Sequence, residues 1–270
     1  MADCYWQLGW YNYVPKKEAW PKARAAIEKA LERDRTVAEA HTSLATYKDV
    51  VDRDYEGAEA EFKQALSLNS SDAQTHTQYS WHLDAIGQMD KAIEEAKKAH
   101  ELDPLSLNVT SNLGQALFYG RRYEEAIEFY QQVLRSRPNS DEDHAYLGSA
   151  FEQKRMYDEA IKEFQKARDS SVEKVSMGGL GHAYAVSGKT TEARKLLDQL
   201  LREAPVRSYG LALIYTGLGD KDSAFLWLNK TFDDEDSRNQ LVFIKVDPVF
   251  DNLRTDQRFT DLLRRMNLPT

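Results

Sequence analysis

Hydrophobic and small residues recur along most of the chain at a spacing of about 34 residues. The clearest mark is a column of alanines separated by 35, 34, 34, 34, 33 and 31 residues: Ala23, Ala58, Ala92, Ala126, Ala160, Ala193 and Ala224. Mostly apolar or small residues follow four and seven positions after these alanines. Such offsets put side chains on one face of an α-helix. A fixed period of this length is typical of an array of repeated structural units.

A second column precedes the alanines and predicts a first helix in each unit. It is mostly leucine, and each member is followed directly by Gly, Ala or Ser: Leu8, Leu44, Tyr79, Leu113, Leu147, Leu180 and Leu211. Small residues let two helices approach closely, as a helical hairpin needs. Turn signals separate the two helices, and prolines follow the second helix in three units. These signals are Gly87, Arg121–Arg122, Gly188 and Gly219–Asp220, with Pro104, Pro138 and Pro205. The pattern predicts an all-α protein of about seven helix–turn–helix repeats.

The period changes at both ends of the chain. The first unit has two extra residues around Pro15, and the second has one around Val51. After an acidic run at 233–236 the pattern stops, and Thr255 is predicted as the N-cap of a final helix through about Met266. Because a repeat array must cover its last apolar face, we expect an array over 1–236 and a capping segment over 237–270, packed on the last repeat. The chain opens without a polar helix cap, so we expect it to be a piece of a longer protein.

The repeated residues resemble those of the tetratricopeptide repeat family, over about Tyr5 to Asp236. The resemblance implies a right-handed α-solenoid whose first helices line a concave surface that grips a peptide or a partner helix. The stretch from Ile214 to Met266 is similar to the C-terminal repeat regions of bacterial multidomain regulators. In those proteins the repeats follow a winged-helix, nucleotide-cyclase or serine/threonine-kinase domain. This similarity implies a sensory or scaffolding module in signalling.

Composition narrows the classes of partner. The net charge is −8, which argues against a general nucleic-acid or anionic-membrane binder, because both need a positive surface. No run approaches the roughly 18 apolar residues of a membrane-spanning helix, so we expect no membrane insertion. The single cysteine, Cys4, excludes an intrachain disulfide. This fits a cytoplasmic protein and leaves an extracytoplasmic one open.

Residues for catalysis or metal binding are not arranged in any recognisable set. His41, His76 and His144 share one column of the repeat, which favours a packing role between helices. Gly178, Gly179 and Gly181 lack the preceding strand and the following Lys-Ser/Thr of a phosphate loop. We therefore expect no catalytic residues, no metal site and no cofactor.

The candidate site is the concave face that the resemblance implies. Four columns of the first helix, at two and five residues before and after the leucine column, are predicted to line this face and cover 28 positions. Six of these are acidic and none is Lys or Arg, whereas chance would place about four basic residues there. Such a face favours a basic or neutral segment of a protein or peptide. Two asparagines match the amides with which the family clamps a terminal carboxylate, but the lysines of that clamp are missing. The candidate residues are Asp49, Trp81, Asp84, Asn108, Asn112, Gln115, Phe118, Glu142 and Glu152.

The predicted function is non-catalytic protein–protein interaction. Two alternatives stay open: a helical-repeat RNA binder, against which the acidic charge counts, and a regulatory arm of a catalytic domain upstream. The partner's identity and the oligomeric state are left open. Retention on heparin or RNA separates the RNA binder from the other two.

Overall fold

The computed structural model describes residues 5, 8–9, 13–168, 176–203, 206–235 and 237–269, and these contain helices and no strands. The α-helices are α1 Lys16–Arg33, α2 Ala38–Tyr47, α3 Tyr55–Leu68, α4 Ala73–Ile86, α5 Met89–Leu102, α6 Leu107–Tyr119, α7 Tyr123–Ser136, α8 Asp141–Gln153, α9 Tyr157–Arg168, α10 Ser176–Val186, α11 Thr190–Arg202, α12 Ser208–Gly217, α13 Lys221–Asp233 and α14 Gln257–Arg265. Two 3₁₀ helices lie between α13 and α14, at Arg238–Leu241 and Pro248–Leu253. The predicted all-α class is confirmed, while the number of repeats and their handedness stay predictions.

The alanine column is buried where the paired helices pack. All seven alanines are 0 or 1% exposed, so a larger side chain has no room at these positions. The small residues of the first helices face the same contacts. A Cβ added to Gly114 would lie 2.9 Å from the ring of Tyr130, and one added to Gly148 would lie 3.1 Å from Phe164. The period therefore reports close helix packing, as the sequence predicted.

The turn between the paired helices has the same backbone conformation in six successive hairpins. One residue in each turn has a positive φ, between 53° and 86°: Arg53, Gly87, Arg121, Arg155, Gly188 and Gly219. Glycine adopts this left-handed conformation without steric cost, whereas an L side chain costs roughly 1–2 kcal/mol. The predicted turns at Gly87, Arg121, Gly188 and Gly219 are confirmed. Three hairpins accept the cost of an arginine in place of glycine.

Two local features refine the sequence predictions. The extra residue around Val51 is absorbed by a π-helical turn over Lys48–Asp52, the form in which a helix takes up one inserted residue. The final helix begins at Gln257, and the carboxylate of Asp256 accepts a hydrogen bond from the amide of Arg258 at 3.0 Å. The N-cap predicted at Thr255 is therefore wrong by one residue.

The described residues group into two compact units. One is drawn from 1–112 and 263–270, and the other from 113–262. In the second unit, side chains of α9 to α12 form a large apolar core that includes Phe164, Leu200 and Ile214. In the first unit, Phe62, Tyr79 and Leu83 pack beside the alanine column. None of the described helices is long and apolar enough to cross a membrane.

Candidate functional site

In the first unit, most of the predicted site residues are buried. Asp49 is buried and its carboxylate lies 3.0 Å from Nδ1 of His82. Asp84 is fully buried, and neither of its carboxyl oxygens has a hydrogen-bond partner among the described residues. Asn112 is also buried, whereas Trp81 is half-buried and Asn108 is exposed. Only the last two thus present surface to a partner.

The environment of Asp84 determines its charge. Burial raises the pKa of this carboxyl well above its ordinary value, because the charged form loses its water without gaining a hydrogen bond. A neutral carboxylic acid does not attract a basic peptide. Burial therefore weakens the negative potential that was expected at this position.

The second unit shows the same division between buried and exposed candidates. Gln115, Phe118 and Glu152 are buried, and Glu142 is exposed. The ring of Phe118 lies against Tyr119 and Tyr123, with centroid distances of 5.3 and 5.8 Å. A buried ion pair joins Glu152 to Nδ1 of His182 at 3.0 Å. Glu142 is therefore the free acidic candidate in this unit.

A stretch of the chain's own C-terminus covers first-helix residues in the second unit. We call residues 238–262 the C-terminal segment. The ring of Phe243 packs on Tyr119 at 4.8 Å between centroids, and Phe250 meets Tyr209 edge-on at 6.2 Å. Tyr209 lies in α12 at a position predicted to line the concave face. Aromatic side chains of the segment therefore pack on α6 and α12.

Polar contacts fix the same segment. The guanidinium of Arg121 donates to Asp251 at 2.9 Å, and the amide of Asn252 donates to the carbonyl of Thr216 at 3.1 Å. Arg121 stands at a left-handed turn position, so the turn that could have been glycine supplies an ion pair instead. Thr216 is another predicted concave position. The C-terminal segment is thus held by α6, by α12 and by the turn after α6.

Titratable groups of the C-terminal segment, of α8 and of α10 interact electrostatically. Asp247 caps the second 3₁₀ helix by accepting from the amide of Val249 at 3.0 Å. Burial raises the pKa of Asp247 to about 6, although the amide and the charge of His182 oppose the rise. Burial lowers the pKa of His182, but the Glu152 carboxylate more than offsets this effect and leaves the pKa raised.

The last residues of the chain contact the first unit. The hydroxyl of Tyr55 donates to the carbonyl of Met266 at 3.4 Å, and the amide of Asn267 donates to the carbonyl of Arg53 at 2.8 Å. Met266 and Leu268 are buried. Within this unit, the chain end is thus fixed to the turn between α2 and α3.

Within the described ranges, no group of three His, Cys, Asp or Glu side chains could hold a metal ion. Sequence reasoning missed Tyr119 and Arg121, which contact the C-terminal segment, and Asp247, which caps a 3₁₀ helix within it. Tyr119 and Arg121 lie one and three residues past the outermost column considered. Asp247 lies where the repeat period has stopped.

Comparison with known proteins identifies the repeats. Residues 111–171 and 179–237 match a family model described as tetratricopeptide repeat. The small glutamine-rich tetratricopeptide repeat-containing protein 2 of Mycosarcoma maydis is 35% identical over 89 residues, which are 33% of this chain and 25% of that protein. The Hsp70-Hsp90 organizing protein 2 of Arabidopsis thaliana is 30% identical over 88 residues, 33% of this chain and 15% of that protein. The chain thus spans a quarter or less of the length of these relatives.

Solved structures share the fold. PilF of Pseudomonas aeruginosa matches with a TM-score of 0.57 and 24% identity, covering 76% of this chain and 92% of that one. A MamA structure from Desulfovibrio magneticus matches with a TM-score of 0.51 and 19% identity, covering 61% of this chain and 93% of that one. At these identities the likeness concerns the fold alone. The family model and the 34-residue period identify residues 111–171 and 179–237 as tetratricopeptide repeats.

Proposed function

We propose that the chain is a non-catalytic module for protein–protein interaction, which takes up a peptide or a partner segment on the concave face of its repeats. One observation carries the proposal. In the second unit, aromatic side chains of α6 and α12 and the guanidinium in the turn after α6 already bind a non-helical to 3₁₀-helical stretch through ring contacts and an ion pair. A face that binds one such segment has the shape and chemistry for segments of proteins in general.

We propose further that an external partner meets the candidates that remain exposed, and that it is basic or neutral. The carboxylates of Asp49 and Glu152 each lie 3.0 Å from a histidine ring, and burial raises the pKa of Asp84. Glu142 and Asn108 are exposed, and Trp81 presents part of its ring. An exposed carboxylate, an amide and an aromatic ring suit a basic or neutral segment better than an acidic one.

Titration with two labelled peptides of equal length, one basic and one acidic, tests the proposal on the full chain. We expect the basic peptide to bind more tightly, and added salt to weaken its binding, because exposed charges are screened. Glu142→Lys should also weaken binding of the basic peptide. Glu128→Lys is the matched control: it makes the same charge change at an exposed site on the second helix α7.

Two results would contradict this proposal. Tighter binding of the acidic peptide would refute the charge preference. An equal effect of the two lysine variants would mean that the peptide responds to net charge and not to the concave face. The resemblance of the C-terminal stretch extends the proposal to a role within a larger signalling regulator, for which a pull-down that recovers a specific partner is the test.

A further inference from the structure

His76 lies at a junction of three elements. Its Nδ1 is 2.5 Å from the carboxylate of Glu95 on α5, and its Nε2 is 3.1 Å from the carbonyl oxygen of Ser70 in the loop before α4. The other carboxylate oxygen of Glu95 accepts from the ammonium of Lys98 at 3.0 Å. The ring thus connects its own helix, the second helix of the hairpin and the loop from the preceding hairpin.

The same arrangement occurs at two other hairpins. The ring-to-carboxylate distances there are 2.7 and 2.6 Å, and the ring-to-carbonyl distances are 3.0 and 2.9 Å. A lysine again holds the second carboxylate oxygen, at 2.9 and 2.7 Å. The members are His41 with Glu61, Lys48 and the carbonyl of Arg35, and His144 with Glu163, Lys166 and the carbonyl of Pro138. We call each set a histidine clamp.

The partners of the ring determine the protonation state that fits the clamp. A backbone carbonyl only accepts hydrogen bonds, and an ionised carboxylate also only accepts. A neutral imidazole has one N–H, so it can satisfy one of the two; the imidazolium satisfies both. Consistent with this, the hydrogen bond to Glu95 raises the pKa of His76, against the opposing effects of burial and of the Lys98 charge.

We propose that the histidine clamp around His76 is a pH-dependent brace, which holds the loop before α4 against its hairpin while the ring is protonated and releases the loop when it is not. The groups that face His76 are Glu95 and Lys98 from α5 and the carbonyl of Ser70 from the loop. When the ring loses its proton, the carboxylate of Glu95 still has a hydrogen-bond donor, because Lys98 donates to it. The Ser70 carbonyl loses its donor, so the loop is the part that loosens.

The direction of the pH effect follows from the sign of the shift. A histidine whose pKa is higher in the folded protein contributes stability that is complete below its unfolded pKa, near 6.5, and is lost as the pH rises through the folded pKa. Hydrogen bonds from His76 and Lys98 leave the pKa of Glu95 lowered even though burial raises it. The carboxylate contribution is therefore present above about pH 4.5 and is lost on acidification. The clamp is strongest in mildly acidic solution.

The test uses the full chain and its His76→Gln variant, which keeps a hydrogen-bonding side chain but does not titrate. Chemical unfolding is measured from pH 6 to pH 8.5. We expect the wild type to lose stability relative to the variant over this range, with a tenfold change in the unfolding constant for each pKa unit between the folded and unfolded states. Identical pH dependence of the two proteins would overturn the proposal. His100→Gln is the control, since it removes a histidine from the same hairpin and leaves the clamp intact.

A second measurement keeps the proposal testable if the variant does not fold. Nuclear magnetic resonance of the imidazole signals in the wild type gives the titration midpoint of each histidine. We expect the His76 midpoint above 6.5, and Glu95→Gln should move it down, because the amide no longer favours the charged ring. A midpoint at or below 6.5 would refute the brace. Thr110 takes the histidine position in the hairpin between, so amides of its loop should show no matching change between pH 6 and 8.5.

Discussion

Replacing Phe250 with alanine tests whether the C-terminal segment is a firm part of the fold. The phenylalanine side chain is 0% exposed and meets Tyr209 edge-on. It lies in a 3₁₀ helix with Leu253, which is also fully buried. The truncation removes a whole ring from a packed contact, and the short helix has little apolar surface with which to fill the gap.

The expected loss follows from these contacts. A buried Phe→Ala change costs about 3–5 kcal/mol, which includes the lost transfer energy and the cavity. A domain of ordinary stability has about 5–15 kcal/mol in all. The variant should therefore remain folded with a clearly lower free energy of unfolding. The exposed Leu226, at 52% exposure on α13, is the control, because surface changes cost about 0.5 kcal/mol or less.

Urea unfolding gives the free energies, and hydrogen exchange read by mass spectrometry locates the effect. We expect Phe250→Ala to lose about 3–5 kcal/mol and to lose protection over residues 238–262. Leu226→Ala should change neither quantity. A loss under about 1 kcal/mol, with protection unchanged, would mean that the segment rests loosely on the repeats. In that case the concave face of this unit would be open to partners, and the burial of its candidate residues would carry no weight.

Two further predictions concern close packing and a buried acid. Gly178→Ala should destabilise by about 1–3 kcal/mol, since a Cβ there lies 2.7 Å from the backbone Cα of Gly210. Gly210→Ala is the paired control and should be neutral or slightly stabilising, because its added Cβ meets neighbours at 3.4 Å or more. Asp84→Asn should raise stability at pH 8, by about 1–3 kcal/mol, by removing an ionisable group without a partner. Because its pKa is raised by burial, the advantage of the variant should shrink as the pH falls toward 4, and an advantage that grows there would refute the assignment.

The helical hairpins could be predicted from the sequence because each is set by local, repeated interactions. Ala126 and Ala160 are both fully buried where paired helices pack, so both must be small. Because this requirement recurs at a fixed period, it can be recognised without coordinates. Turn residues could be placed equally well where they are glycine. Arg53 and Arg155 adopt the same backbone conformation without a compositional signal, so only their position in the period indicated it. The π-helical turn near Val51 appeared in the sequence as one extra residue.

The candidate site was less predictable, because most of its residues are buried in the folded chain. Phe243 and Phe250 lie far along the chain from some of the helices they contact, and no spacing rule connects Tyr119 with Phe243. The first-helix columns were predicted to be open to solvent. The C-terminal segment has an irregular pattern, so its contacts with first helices could not be predicted from the period. The histidine column was correctly assigned to contacts between helices, but its glutamate partners lie in a different column and were not paired with it.

The same burial offers a second explanation for the absence of Lys and Arg from the concave columns. Long cationic side chains are almost never fully buried unless they are paired. Buried positions therefore exclude them whatever the partner's charge. Asp49 and Glu152 are tolerated because His82 and His182 lie within 3.0 Å, and Asp84 because it can become neutral. Among these acids Glu142 is the exposed one, although partial desolvation raises the pKa of its carboxyl. A preference for basic peptides that is lost in Glu142→Lys would separate partner recognition from the packing requirement, which the buried acids cannot do.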